Sequence, residues 1–209
     1  MRFLENRTPL ELGPFRVTPY LADHSAFDAY QLLVEAKGRR LFYSGDFRGH
    51  GRKARLFERL LAEPPPVDTL LLEGTRVSQN EDWGRERLST EIEVENAACE
   101  WFAHTQGLAL VSYSAQNVDR LISLYRASRR ANRLFVFDLY GATIATATGR
   151  TTIPQPGWDG VRTFVPLGQR IRVKRARAFE RSTVSVAVVS SPNRSRVMRV
   201  DSLSRCAAR

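Results

Sequence analysis

Residues 30–47 read YQLLVEAKGRRLFYSGDF. Two apolar runs, Tyr30 to Ala36 and Arg40 to Tyr43, flank Lys37-Gly38-Arg39, a short glycine-containing link of the kind that joins antiparallel strands. Gly45-Asp46-Phe47 then ends the second strand, because glycine followed by an acidic residue favours a turn. Upstream, Pro14 to Tyr20 (PFRVTPY) reads as a further strand, so the chain opens on an antiparallel layer. Downstream, Ala54, Leu56, Phe57, Leu60 and Leu61 recur at near-helical spacing until Pro64-Pro65-Pro66 stops the helix. Val67 to Leu72 (VDTLLL) is a continuous apolar run, which predicts a strand covered on both faces.

The rhythm then changes. Arg76 to Ser89 is polar, and Ser89 or Thr90 followed by Glu91 and Glu93 predicts a helix start with acidic residues in its first turn, running from about Thr90 to His104. Leu108 to Val111 (LALV) reads as a buried strand, Ala115 to Arg130 as a helix with Val118, Leu121, Ile122 and Tyr125 on one face, and Leu134 to Phe137 (LFVF) as another buried strand. Short apolar strands alternating with helices describe βαβ units and a parallel sheet, so the fold class expected is α/β. From Ile153 the pattern is loop-like, Val161 to Val165 is a candidate strand, and Arg170 to Arg177 is a basic run. Residues 181–209 hold seven Ser and six Arg, with no Gly and no aromatic residue, and do not continue the α/β rhythm. Three segments follow: 1–78, 79–165 and a basic, poorly ordered 166–209.

At 209 residues, 43% hydrophobic and 26% charged, the chain can bury an ordinary core, which excludes collagenous and wholly disordered classes. No run of 18 or more apolar residues occurs, and Arg2, Glu5 and Arg7 stand where a secretory apolar core would lie, so neither a membrane span nor Sec export is expected. Cys99 and Cys206 stand far apart without metal-ribbon spacing, which fits a reducing, cytoplasmic compartment. Residues 1–149 balance 19 Lys+Arg against 19 Asp+Glu, whereas residues 150–209 carry 13 against three. The whole net charge of +10 therefore lies in residues 150–209, as a phosphate-facing surface or as a solvated tail.

Two motifs carry chemistry. Tyr20-Leu21-Ala22-Asp23-His24-Ser25 follows one strand and Tyr43-Ser44-Gly45-Asp46-Phe47 follows another, each placing one metal-capable side chain at a strand end. Taken singly, His24 reads as a loop residue and Asp46 as a turn or cap; together, separated by a hairpin, they can be returned to one rim, where an imidazole and a carboxylate suit a divalent ion such as zinc.

The strings VTPYLADHSAFDAY (17–30), RRLFYSGDFRGHGRKARLFERLL (39–61) and VDTLLLEGT (67–75) resemble the later half of a metallo-β-lactamase-fold domain of the β-CASP type, the group of ribonuclease J-like and messenger RNA 3′-end processing nucleases. Residues 90–149 are similar to the inserted β-CASP domain itself. The resemblance covers roughly residues 10–165 and implies a partial metallo-β-lactamase fold, the later half of an αββα sandwich, with an inserted parallel-sheet α/β layer. It implies that His24 is a metal ligand, that Asp46 bridges two zinc ions, and that Glu73 is the acidic residue that orients a later histidine. It further implies RNA or another phosphodiester as substrate, attacked by a metal-activated hydroxide.

The departures shape the expectation. The family's His-x-His-x-Asp-His motif occurs nowhere in the chain, which has three histidines, His24, His50 and His104, and none after His104. A catalytic zinc takes about three protein ligands, and His24 and Asp46 are two. The expectation is a fragment of a zinc-dependent metallo-hydrolase, inactive alone, whose missing strands and motif precede Met1, with residues beyond Arg181 resembling a shifted reading frame. The alternatives are a non-catalytic nucleic-acid-binding module with a basic C-terminal segment, and a fragment that does not fold stably. Assembly of more than one copy is compatible with each.

Other features read two ways. Ser112-Tyr113-Ser114-Ala115-Gln116-Asn117 joins a strand to a helix and suits either a phosphate or ordinary capping by Ser114. Asp138 lies at a carboxyl strand end, as a ligand residue or a cap. Arg170, Arg172, Lys174, Arg175 and Arg177 suit a nucleic-acid backbone or a solvated run, and Cys99 suits the core.

Overall fold

Lys37 and Gly38 both take positive φ, 48° and 73°, the pair of left-handed residues that a tight two-residue hairpin turn requires. The turn joins β3 (Tyr30–Ala36) to β4 (Arg39–Tyr43), so the link is two residues long and Arg39 belongs to the strand. The computed structural model describes residues 3–74, 90–175 and 195–199, and the chain divides into two compact units, Met1–Glu86 and Arg87–Arg209. The boundary expected at 78/79 falls among residues 75–89, outside the described residues.

In the first unit, β1 (Leu10–Leu12), β2 (Phe15–Leu21), β3 and β4 pair antiparallel in chain order. Helix α1 (Ala54–Ala62) then carries the chain to β5 (Thr69–Leu71), which lies parallel to β4. Directly opposed residues share a face. Thr18, Leu33 and Phe42 therefore form one row across β2, β3 and β4, in which Leu33 and Phe42 are buried and the ring of Tyr20 meets Phe42 edge-on at 5.7 Å. The expectation that residues 67–72 form a strand covered on both faces is corrected: all three residues of β5 are exposed, Leu70 by 51% and Leu71 by 49%. An apolar run supplies strand propensity, but cover depends on position, and β5 is the last strand in its sheet.

In the second unit, α2 (Glu91–His104) starts at a capping box: Thr90 accepts the Glu93 N–H while the Glu93 side chain accepts the Thr90 N–H. Strand β6 (Leu108–Ser112) leads to α3 (Val118–Arg130), and α2 and α3 pack together, with Val94, Ala98 and Phe102 of one and Leu121, Leu124 and Ala127 of the other all buried. Strand β7 (Phe135–Asp138) is followed by α4 (Leu139–Ala147), β8 (Val161–Phe164), α5 (Leu167–Arg175) and β9 (Ser195–Arg199). Parallel pairing joins β7 to β8 and β6 to β9, in two separate two-stranded sheets. Phe135 stands edge-on to both Tyr125 and Phe137, and Tyr125 to Trp158, which builds an aromatic core beneath β7.

Four expectations change here. Helix α3 starts at Val118, capped by Asn117, whose side chain accepts the Arg120 N–H at 2.8 Å, rather than at Ala115 capped by Ser114. Strand β6 is half-buried at Leu108, Ala109 and Val111 and exposed at Leu110 and Ser112 instead of being buried throughout. Residues 170–175 of the expected basic run, Arg170 to Arg177, belong to a helix, Leu167–Arg175. Residues 195–199, expected to leave the α/β rhythm, pair in register with β6; the remainder of 176–209 lies outside the described residues. No helix among the described residues is long and apolar enough to cross a membrane.

Candidate functional site at one rim of the sheet

Strands β2 and β4 both run antiparallel to β3, and β5 runs parallel to β4, so β2, β4 and β5 share one direction. His24, Asp46 and Glu73 each follow the carboxyl end of one of these strands, two or three residues beyond Leu21, Tyr43 and Leu71. The topology thus brings all three predicted site residues to one rim.

Hydrogen bonds stitch the three strand ends together. The backbone N–H of Phe47, next to Asp46, donates to Glu73 Oε1 at 3.1 Å, and the N–H of Glu73 donates to Ser44 Oγ at 3.0 Å. Ser44 is buried, and its N–H also donates to the carbonyl of Leu71. From the β2 end, the carbonyl of Asp23 accepts the Arg48 N–H at 2.7 Å. Its carboxylate, 1% exposed, accepts the Gly51 N–H at 2.8 Å and the Lys53 N–H at 3.1 Å. The Lys53 ammonium turns away to the Ala26 carbonyl at 3.1 Å. Loop 48–53 is therefore wrapped around a buried carboxylate, and a Cβ at Gly51 would collide with Asp23 Oδ1 and the Arg48 side chain. Gly45 sits at φ 52°, and a Cβ there would meet the Tyr30 carbonyl oxygen at 3.2 Å, so this turn favours glycine.

Around this frame, His24 is half-buried and its Nδ1 accepts the Ala26 N–H at 3.2 Å, which leaves Nε2 as the nitrogen open to a ligand. Asp46 is exposed, and one Glu73 oxygen is committed to Phe47. His50 is exposed in the wrapped loop, and His104 sits at the end of α2 with Nδ1 on the Glu100 carbonyl at 2.8 Å. Among the described residues no group of three His, Cys, Asp or Glu stands where it could hold a metal ion. An imidazole and a carboxylate fall short of the three or four donors that zinc takes, so the described rim does not by itself fit the two zinc ions implied by the resemblance. Sequence reasoning passed over Asp23 and Ser44, the two residues that fix the rim, although each lies inside one of the two strand-end motifs, Asp23 beside His24 and Ser44 two residues before Asp46.

In the second unit, Asp138 caps α4, accepting the Gly141 N–H at 2.7 Å. Burial, and then the charge of Asp138, push the Tyr113 hydroxyl up to about 12, so the loops after β6 and β7 are neighbours and Tyr113 stays protonated. Cys99 is half-buried on α2.

No known protein family and no characterised protein matches the chain by sequence. Solved structures match its fold, among them a protein of unknown function from Enterococcus faecalis V583, with a TM-score of 0.62 at 13% sequence identity, over 96% of this chain and 55% of that one. The chain spans about half the length of that protein. At this identity the likeness concerns the fold alone, and the chain is a mixed α/β protein in which one mixed sheet and two parallel strand pairs are combined with helices.

Proposed function

We propose that the chain is part of a zinc-dependent metallo-hydrolase of the metallo-β-lactamase fold, β-CASP type, whose whole protein cleaves phosphodiesters in RNA, and that the chain alone is inactive. The observation that carries this reading is the single rim: His24, Asp46 and Glu73, picked out by the resemblance, follow three strands that run the same way, and their loops are tied by the Phe47–Glu73 and Glu73–Ser44 hydrogen bonds. In this reading His24 Nε2 and the Asp46 carboxylate are metal ligands, and Glu73 holds the Asp46 loop as a positioning residue. When bound, zinc would polarise a phosphoryl oxygen and supply hydroxide at neutral pH. The remaining ligands come from outside the described residues.

Elemental analysis of the dialysed chain, paired with hydrolysis of bis(p-nitrophenyl) phosphate and of RNA, tests this. Zinc well below one ion per chain and no hydrolysis are expected. Two retained ions per chain together with turnover would refute the claim that the chain is inactive alone, and retention unaffected by His24→Ala and Asp46→Ala would refute the assignment of the rim.

A further inference from the structure

Helix α5 reads LGQRIRVKR and contains no acidic residue. Arg170, Arg172, Lys174 and Arg175 are all exposed, and among the described residues none of their side chains makes an ion pair or hydrogen bond. Arg170 and Lys174 are four residues apart and Arg172 and Arg175 three apart, so like charges face each other along the helix surface and weaken it unless an anion intervenes. Helix α3 makes the contrast plain. There Arg120 grips Glu91, Arg129 pairs with Asp159, Arg130 pairs with Glu95, and the nearby Arg133 donates to the carbonyls of Thr105 and Gly107. The basic residues that serve the fold have acceptors inside it; those of α5 do not.

We propose that α5 is a docking surface for the phosphate backbone of nucleic acid, held by charge without base readout. Four uncompensated cations on nine residues match a polyanion with regularly spaced charges. A bilayer is the poorer match. At 100° per residue the cations flank both sides of the exposed Leu167 and Ile171, whereas an interfacial helix segregates a broad apolar face, usually with aromatic residues. This inference does not rest on the metal reading.

The test is fluorescence anisotropy of the full chain with a short, labelled, mixed-sequence RNA across a salt series. For single strands each phosphate contact contributes about 0.7 to the slope of log affinity against log salt, so Arg170→Gln with Lys174→Gln should flatten the slope by about 1.4 and weaken binding on the order of tenfold. Glutamine is a good helix former, and unchanged circular dichroism confirms that both positions remain helical. Arg55→Gln with Arg126→Gln removes the same net charge from exposed positions on α1 and α3 and should change the slope little. An unchanged slope in the α5 variant, equal losses in both double variants, no RNA binding by the wild-type chain, or binding of phosphatidylglycerol vesicles in preference to RNA would each overturn the proposal.

Discussion

The buried carboxylate of Asp23 accepts the backbone N–H of Gly51 at 2.8 Å, across 28 residues of sequence. Because its other oxygen holds Lys53 N–H, one side chain fixes the loop that carries Arg48 and His50 to the strand end that carries His24. Asp23→Ala strands two backbone donors and should destabilise the chain by about 2–4 kcal/mol. Gly51→Ala forces a methyl against the same carboxylate and should cost about 1–3 kcal/mol. Urea unfolding of both single variants and the double variant checks this. The double variant should lose less than the two single losses combined, since both act on one contact.

A second buried carboxylate holds the helical pair. Glu91, 3% exposed at the start of α2, accepts two hydrogen bonds from Arg120, at 3.1 and 3.2 Å, and one from Ser123 Oγ at 2.7 Å. Removing one partner leaves a charge largely out of water, so Glu91→Ala and Arg120→Ala should each cost about 3–5 kcal/mol. Replacing both, as Glu91→Leu with Arg120→Met, should recover much of the loss. Thermal unfolding followed by circular dichroism reads the difference.

Tyr113 makes the chain sensitive to alkali. Its hydroxyl is raised from the ordinary value near 10 to about 12 by burial and then by Asp138, so the folded chain keeps this proton where the unfolded chain releases it. The resulting stabilisation is complete below pH 10 and is lost as pH rises through about 12, amounting to roughly 2 kcal/mol over that window. Stability measured from pH 9 to 12 should fall more steeply in the wild-type chain than in Tyr113→Phe. Phenolate absorbance of the wild-type chain should show a late-titrating tyrosine that is missing from Tyr113→Phe.

The contrast between these sites explains what could be read in the sequence. The β3–β4 hairpin, α1 and the α2 cap are local signals, carried by residues a few positions apart, and each lies close to where the letters place it. Helix α4 was invisible because Gly141, Thr143, Ile144 and Thr146 are weak helix formers; it is held by the Asp138 cap and by contacts with β7 and β8. Strand β9 was missed because its partner β6 lies over 80 residues away, beyond any periodicity in its own letters. At the rim, His24 and Asp46 could be named from the spacing of their motifs and Glu73 from the resemblance alone, whereas Asp23 could not. Its partners are backbone N–H groups, which every residue but proline has, so the residue types at 51 and 53 do not reveal them.

The claim at the centre of this account is that His24 and Asp46 belong to one metal-facing rim. With three histidines in the chain, their ring-proton resonances can be followed one by one in a zinc titration by nuclear magnetic resonance. The account predicts that the His24 resonance moves, that those of His50 and His104 stay in place, and that Asp46→Ala abolishes the shift. A shift at His50 or His104 with His24 unmoved, or a His24 shift that survives Asp46→Ala, would contradict it.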